Sequence, residues 1–250
     1  MRSQIIALVA AACGAASASA EIRVWEWNRG DAPVSDDGGT FESVRSTYNT
    51  INGLLTWEAT FSNQVTQGFT LAINDGPNPK GIAGELALVY FDGRNTASPT
   101  ISIYGYNGEN TQTSYRDGSP AGGTQAPDRI MTTLVAGGPR YSPGIIANPV
   151  VDAGGKRTLS FSIDTTDLNN HMPLYPSMPN EWTGMQYGDE IGVWFHPVRN
   201  LSASYSDGFL SNWGGTQGWL DGEHFTTTPA PGATGLLAMG GLVATRRRRR

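Results

Sequence analysis

The sequence predicts an all-β chain, an antiparallel β-sandwich of jelly-roll-like type, and three observations point there. Gly 32 and Pro 15 among 250 residues, with aromatics at 10% and charged residues at 16%, describe a turn-rich chain with large side chains to bury. Short runs alternate apolar and polar residues with period two, the mark of half-buried strands. Helical periodicity is nearly absent between the two ends. Strands with one polar face argue for antiparallel pairing, most economically as two packed sheets, with a closed barrel as the second solution.

Taken in order, Met1 to Ala20 reads as a secretory signal. Arg2 supplies the positive start, Ile5 to Ala12 the apolar stretch, and Ala18-Ser19-Ala20 the small-residue cleavage site. Cleavage after Ala20 leaves Glu21 as the new N-terminus, and cleavage after Ala18 is the neighbouring alternative. The apolar stretch is too short for a stable transmembrane span. Cys13, the only cysteine, lies in this segment, so the remaining chain has no disulfide or thiolate site. A lipidated Cys13 is the rival reading, and Ala10 is a poor match for the Leu usual three positions before such a residue.

The body spans 21–225. In Ile22 to Trp27 the alternation places Ile22 and Val24 inward and the charges outward. Gly53 to Phe61 sets Leu55, Trp57, Ala59 and Phe61 on one face, and Gly68 to Ile73 does the same with Phe69, Leu71 and Ile73. Glu85 to Phe91, Thr100 to Tyr106, Arg129 to Val135, Arg157 to Asp164 and Glu190 to His196 are further strand candidates. Asn74-Asp75-Gly76-Pro77, Asp92-Gly93, Asp117-Gly118 and Asp207-Gly208 supply turns, as does Gly30-Asp31. The one short helical candidate is Thr165 to His171, with a Thr as its cap. No fixed-period repeat favours a solenoid or propeller.

Charge excludes one class of partner. Six of the 17 basic residues, Arg2 and Arg246 to Arg250, lie in the end segments, leaving 11 in the body against all 22 acidic residues, a net −11. A nucleic-acid partner needs clustered Lys and Arg, which this body lacks.

The segment 226–250 runs Thr226-Thr227-Thr228, then Pro229-Ala230-Pro231, a weakly apolar Gly232 to Thr245, and Arg246, Arg247, Arg248, Arg249 and Arg250. A polar spacer leads to an apolar helix-capable segment whose far end the arginines hold on the cytoplasmic side. As a helix it is roughly 21 Å long at 1.5 Å per residue, shorter than the roughly 30 Å hydrocarbon core. That length suits a transient membrane stop, and an uncut tail anchor is the alternative. These features resemble the PEP-CTERM sorting signal of Gram-negative bacteria. The resemblance implies a signal peptidase and an exosortase-type processing enzyme as partners, export through the inner membrane, and a final place at the cell surface or outside it. Ala230 stands where the family's motif usually has Glu, which leaves the cut position open. Leu55-Thr56-Trp57-Glu58, Gly84 to Asp92 and Glu190 to Pro197 are similar to a group of secreted PEP-CTERM proteins with no assigned activity.

No stretch of the body spells out a reaction, and the expectation is a non-catalytic protein. His171, His196 and His224 show no metal-binding spacing, and no Gly-x-Ser-x-Gly elbow occurs. A hydrolase would need paired carboxylates, for which Glu26, Glu58 and Glu85 are the strand-borne candidates. No metal site or cofactor is expected beyond a structural calcium at Asp36-Asp37-Gly38-Gly39, Asp164 with Asp167, or Asp189-Glu190. The binding cue is aromatic: Trp194, Tyr205, Phe209, Trp213 and Trp219 crowd together late in the body. Trp213 and Trp219 are the candidates for stacking on extracellular polysaccharide, with core filling as the competing role.

Overall fold

The computed structural model describes residues 21–31, 33–74, 86–106, 128–134, 136, 141–170, 185, 187–188, 190–206, 208–226 and 228–229. The signal, Ala18 and Ala20, Cys13, Glu85, His171, Ala230, Pro231 and Arg246 to Arg250 lie outside them. Among the described residues no helix is long and apolar enough to cross a membrane.

The chain is an all-β sandwich of two antiparallel sheets. Its elements are β1 (Ile22–Asn28), β2 (Val34–Ser35), a 3₁₀ turn (Asp36–Gly38), β3 (Phe41–Asn49), β4 (Leu54–Phe61), β5 (Thr66–Asn74), β6 (Leu86–Asp92) and β7 (Thr100–Tyr106). Then come β8 (Asp128–Thr132), β9 (Ile145–Ala147), β10 (Val151–Ala153), β11 (Lys156–Asp164) and α1 (Thr165–Asn169). The chain continues through β12 (Glu190–Ser206), β13 (Phe209–Gln217), β14 (Trp219–Thr226) and β15 (Thr228–Pro229). The first sheet runs β10-β11-β4-β3-β1-β15, with β9 also on β11. The second runs β2-β14-β12-β5-β6-β7-β8, with β13 also on β12.

The core follows from the alternation. Leu55, Trp57, Ala59 and Phe61 of β4 face Phe69, Leu71 and Ile73 of β5, all buried. Phe195 projects from β12 to the centre, with ring centroids 5.6 Å from Trp57, 6.0 Å from Phe41 and 5.2 Å from Phe69. Trp25 stacks on Trp57 at 5.2 Å.

The phase expected for β1 is reversed: Trp25 and Trp27 point inward, while Ile22 is exposed and Val24 only partly covered. Both faces of β1 carry apolar residues, and the two indoles bury more area than Ile and Val, so they take the core side. The helical turn α1 is capped by Asp164, whose carboxylate accepts from the N–H groups of Thr166 and Asp167, and not by a Thr. Sheet pairing also continues past residue 225, because β15 pairs with β1 through Arg23↔Pro229 and Val24↔Thr228.

The second sheet is covered on both faces. β12 pairs with β5 as far as Arg199 and with β13 from Val198 to Ser206, across a bulge between Arg199 and Ser202 where Asn200 has φ 52°. A second apolar cluster forms there: Trp213, Leu210, Leu201 and Val198 pack with Ala72, Leu88, Tyr90 and Tyr104. The Tyr104 hydroxyl donates to the Leu210 carbonyl at 2.6 Å, pinning the hairpin to β7.

Candidate functional site

A dense polar arrangement lies where the β6–β7 loop meets the β12–β13 hairpin. Asp92 ends β6 with its side chain 7% exposed. Its carboxylate accepts from the Arg94 backbone N–H at 3.1 Å, from Arg94 Nε at 2.9 and 3.2 Å, from Arg94 Nη2 at 2.6 Å and from the Tyr205 hydroxyl at 2.7 Å. Arg94 Nη2 also donates to the Ala203 carbonyl at 2.9 Å. One buried carboxylate therefore clamps the hairpin to the end of β6. A fork of this kind fixes the guanidinium plane as well as its position.

Electrostatics follow the geometry. Burial pushes the Asp92 carboxyl upward, but the Arg94 fork and the Tyr205 hydroxyl outweigh it and hold it below the usual carboxylate value. Its bond to Asp92 raises the Arg94 guanidinium further. Burial, then the hydrogen bond to Asp92 and its charge, raise the Tyr205 phenol. All three keep the protonation state that makes the clamp. Beside it, Asp92, Arg94, Asn95, Thr100 and Tyr205 line an open depression of about 410 Å³.

A second polar surface is the outer face of the first sheet. Glu26, Arg45, Glu58 and Ser160 stand in one register row across β1, β3, β4 and β11. Arg45 Nε donates to Glu26 at 2.8 Å. Thr47 and Thr56 share a 2.7 Å hydroxyl contact, and Asn148 Nδ2 donates to the Ser160 hydroxyl at 3.1 Å. Arg45, Thr56, Glu58, Asn148, Ser160 and Ser162 border a shallow depression of about 370 Å³. Glu26 and Glu58 are two strand spacings apart, about 10 Å between Cα atoms, and Arg45 occupies the row between them. They lie side by side on a sheet face, not opposed across a cleft as glycoside hydrolysis requires.

The predicted stacking residues separate. Trp213 is 5% exposed, its ring 5.4 Å from Tyr90, so it fills the outer cluster and offers no open face. The expectation of a stacking role for Trp213 is corrected accordingly: the hairpin folds back and covers it. Trp219, 41% exposed, stands on β14 opposite Ser35. Trp194 is half-buried, its ring 4.7 Å from that of His196. His224 lies on β14, and its side chain is outside the described residues. Pro229 of the sorting motif is in β15, opposite Arg23.

Of the loop carboxylates expected to suit calcium, Asp36, Asp164 and Asp167 have other partners, and Asp189 and the Glu190 side chain lie outside the described residues. Asp36 pairs with Arg29 at 2.5 Å, Asp164 caps α1, and Asp167 accepts from the Ser142 hydroxyl. Among the described residues no group of three or more His, Cys, Asp or Glu is placed to hold a metal ion.

The sequence reading singled out Tyr205 but missed Asp92, Arg94, Asn95 and Thr100. Asp92-Gly93 reads as an ordinary turn, and the one local signal is an Arg two residues after an Asp at a strand end. Comparison of the chain with protein-family models, curated proteins and solved structures finds no match, so its chemistry is read from its own residues.

Proposed function

We propose that this chain is an exported, non-catalytic β-sandwich protein, displayed at the cell surface or held in the extracellular matrix and matured by two cuts. A signal peptidase acts after Ala18 or Ala20, and an exosortase-type enzyme near Pro229-Ala230-Pro231, after transient membrane association through Gly232 to Arg250. The observation that carries the reading is the antiparallel pairing of β1 with β15, Arg23 opposite Pro229. The signal and the tail are joined to the sandwich at neighbouring strands of one sheet edge, and the strands between them form the whole two-sheet body. Either segment can be removed without taking a central strand.

Intact mass of the protein from its native host, with cell-associated and released fractions measured separately, tests this. The expected mass is that of a chain beginning near Glu21 and ending near Pro231. A mass still including Arg246 to Arg250 would overturn the processing step and leave an anchored protein, and recovery of the uncut chain from the cytoplasm would overturn export.

A further inference from the structure

We infer that the depression beside the Asp92 clamp binds a neutral hexopyranose unit of an extracellular polysaccharide. This names the ligand of the surface protein proposed above and rests on that reading only for where the ligand is met. Three features of the pocket lead to it.

The first is a fixed set of donors. The clamp uses Arg94 Nε and Nη2, and among the described residues Nη1 has no partner. The side chain is 37% exposed and lines the depression, and the clamp presets the orientation of its guanidinium. Asn95 spends its Oδ1 on the Ser98 N–H at 3.2 Å, which turns the loop and leaves its Nδ2 as a second donor. The Thr100 hydroxyl adds a group that both donates and accepts. Fixed donors of this kind suit ring hydroxyls, because little side-chain freedom is lost on binding.

The second is an aromatic wall. Tyr205 is half-buried, its hydroxyl held by Asp92, so its ring cannot swing away from the pocket it lines. Tyr205 packs against the Trp213 cluster and borders the depression, so it sets an apolar surface for the C–H groups of a pyranose beside donors for its hydroxyls. The volume of about 410 Å³ is at the lower end of the roughly 300–1,000 Å³ range of small-ligand sites, enough for one or two sugar rings.

The third is charge. Asp92 neutralises Arg94 within the clamp, and the body around it carries a net −11. A phosphate or a polyuronate would meet a locally neutral site on an acidic body, which repels it over a Debye length. A neutral sugar meets no such barrier.

The test is calorimetric titration of the full chain with cellohexaose, laminarihexaose, mannohexaose and a galactan hexasaccharide, with polygalacturonate as the charged probe. At least one neutral probe is expected to bind with a Kd on the order of 0.1–1 mM. Asn95→Asp keeps the turn bond but replaces the Nδ2 donor with an acceptor. Thr100→Val keeps the strand former and removes the hydroxyl. Neither side chain makes a clamp hydrogen bond, although Thr100 stands opposite Asp92 in the β6–β7 register, and each is expected to weaken binding by roughly tenfold, the loss of one hydrogen bond. Ile51→Ala, at an exposed residue of the β3–β4 turn, is expected to leave binding unaltered. Absence of binding by all four neutral probes at about 10 mM overturns the inference. So does binding that survives both pocket variants, and so does tighter binding of polygalacturonate. These outcomes are read on purified protein and leave the mass measurement of processing untouched, so the two readings fail separately.

Discussion

Replacing Asp92 with Asn asks whether the clamp, beyond strand pairing alone, holds the β12–β13 hairpin over the second sheet. The carboxylate accepts from Arg94 N, Nε and Nη2 and from the Tyr205 hydroxyl. Asn keeps one acceptor oxygen and turns an NH₂ toward a guanidinium that can accept nothing. Hydrogen bonds to a charged group contribute roughly 1.5–3 kcal/mol, and removing one partner of a fully buried pair costs about 3–5 kcal/mol. Arg94 is 37% exposed and regains part of its hydration, which brings the expected loss to about 2–3 kcal/mol. Urea unfolding at neutral pH reads it as a lower midpoint with unchanged slope, or as a fall in Tm of roughly 5–10 °C for a body of this size.

The same variant carries a pH test. The folded carboxyl is held below its ordinary value, so its contribution is complete above the unfolded value, roughly pH 4. It is lost as pH falls through the depressed folded value. The gap between wild type and Asp92→Asn is therefore constant from neutral pH down to about 4 and closes below it. A gap under about 0.5 kcal/mol at neutral pH, which is the range of an ordinary surface change, would refute the clamp. A gap that persists undiminished in acid would refute the charge as its cause.

Two further substitutions probe the frame. Trp57→Ala removes the ring stacked on Trp25 and packed against Phe195, and is expected to cost about 3–5 kcal/mol in urea unfolding. Trp57→Phe is expected to cost under about 1.5 kcal/mol, because it also deletes a buried indole N–H that has no partner among the described residues. Gly38→Ala places a Cβ 1.9 Å from the Pro197 carbonyl oxygen and is expected to abolish soluble expression or lower Tm sharply. Gly154→Ala, with φ 60° and open space around it, is expected to cost about 1 kcal/mol, so equal losses at the two positions would refute the close-approach argument.

The parts of this fold that could be read in the sequence are those where burial alone sets the pattern. β4 alternates strictly, and the inward residues of β4 and β5 are the ones named from period two, while Ala72 on the other face of β5 is buried by the outer cluster. β3 escaped because the bulge between Phe41 and Ser43 puts its first two core residues, Phe41 and Val44, three apart, and Ser46 takes an inward place. That serine is kept by hydrogen bonds to the Thr56 carbonyl and the Tyr187 hydroxyl, partners no local window contains. β12 was read only to His196, since Pro197 and Asn200 look like punctuation. Pro197 nonetheless stays in the strand opposite Phe69 while its carbonyl accepts from Gly218, and Asn200 supplies the bend that folds the hairpin back. The candidate site was the least legible part. Asp92 and Tyr205 are 113 residues apart, and the bond between them arises from that fold-back.

The pairing of β15 with β1 fixes how this protein bears force. A pull on the chain beyond Pro229 arrives first at two residue pairs, Arg23↔Pro229 and Val24↔Thr228, whereas β1 itself is held to β3 by seven. The short strand gives way before β1 moves, and the load then passes to β14, which β12 and β2 hold from either side. β15 is thus the most weakly held strand of that edge: it can peel from β1 while the pairs that hold β1 and β14, and with them the sandwich and its pocket, stay closed.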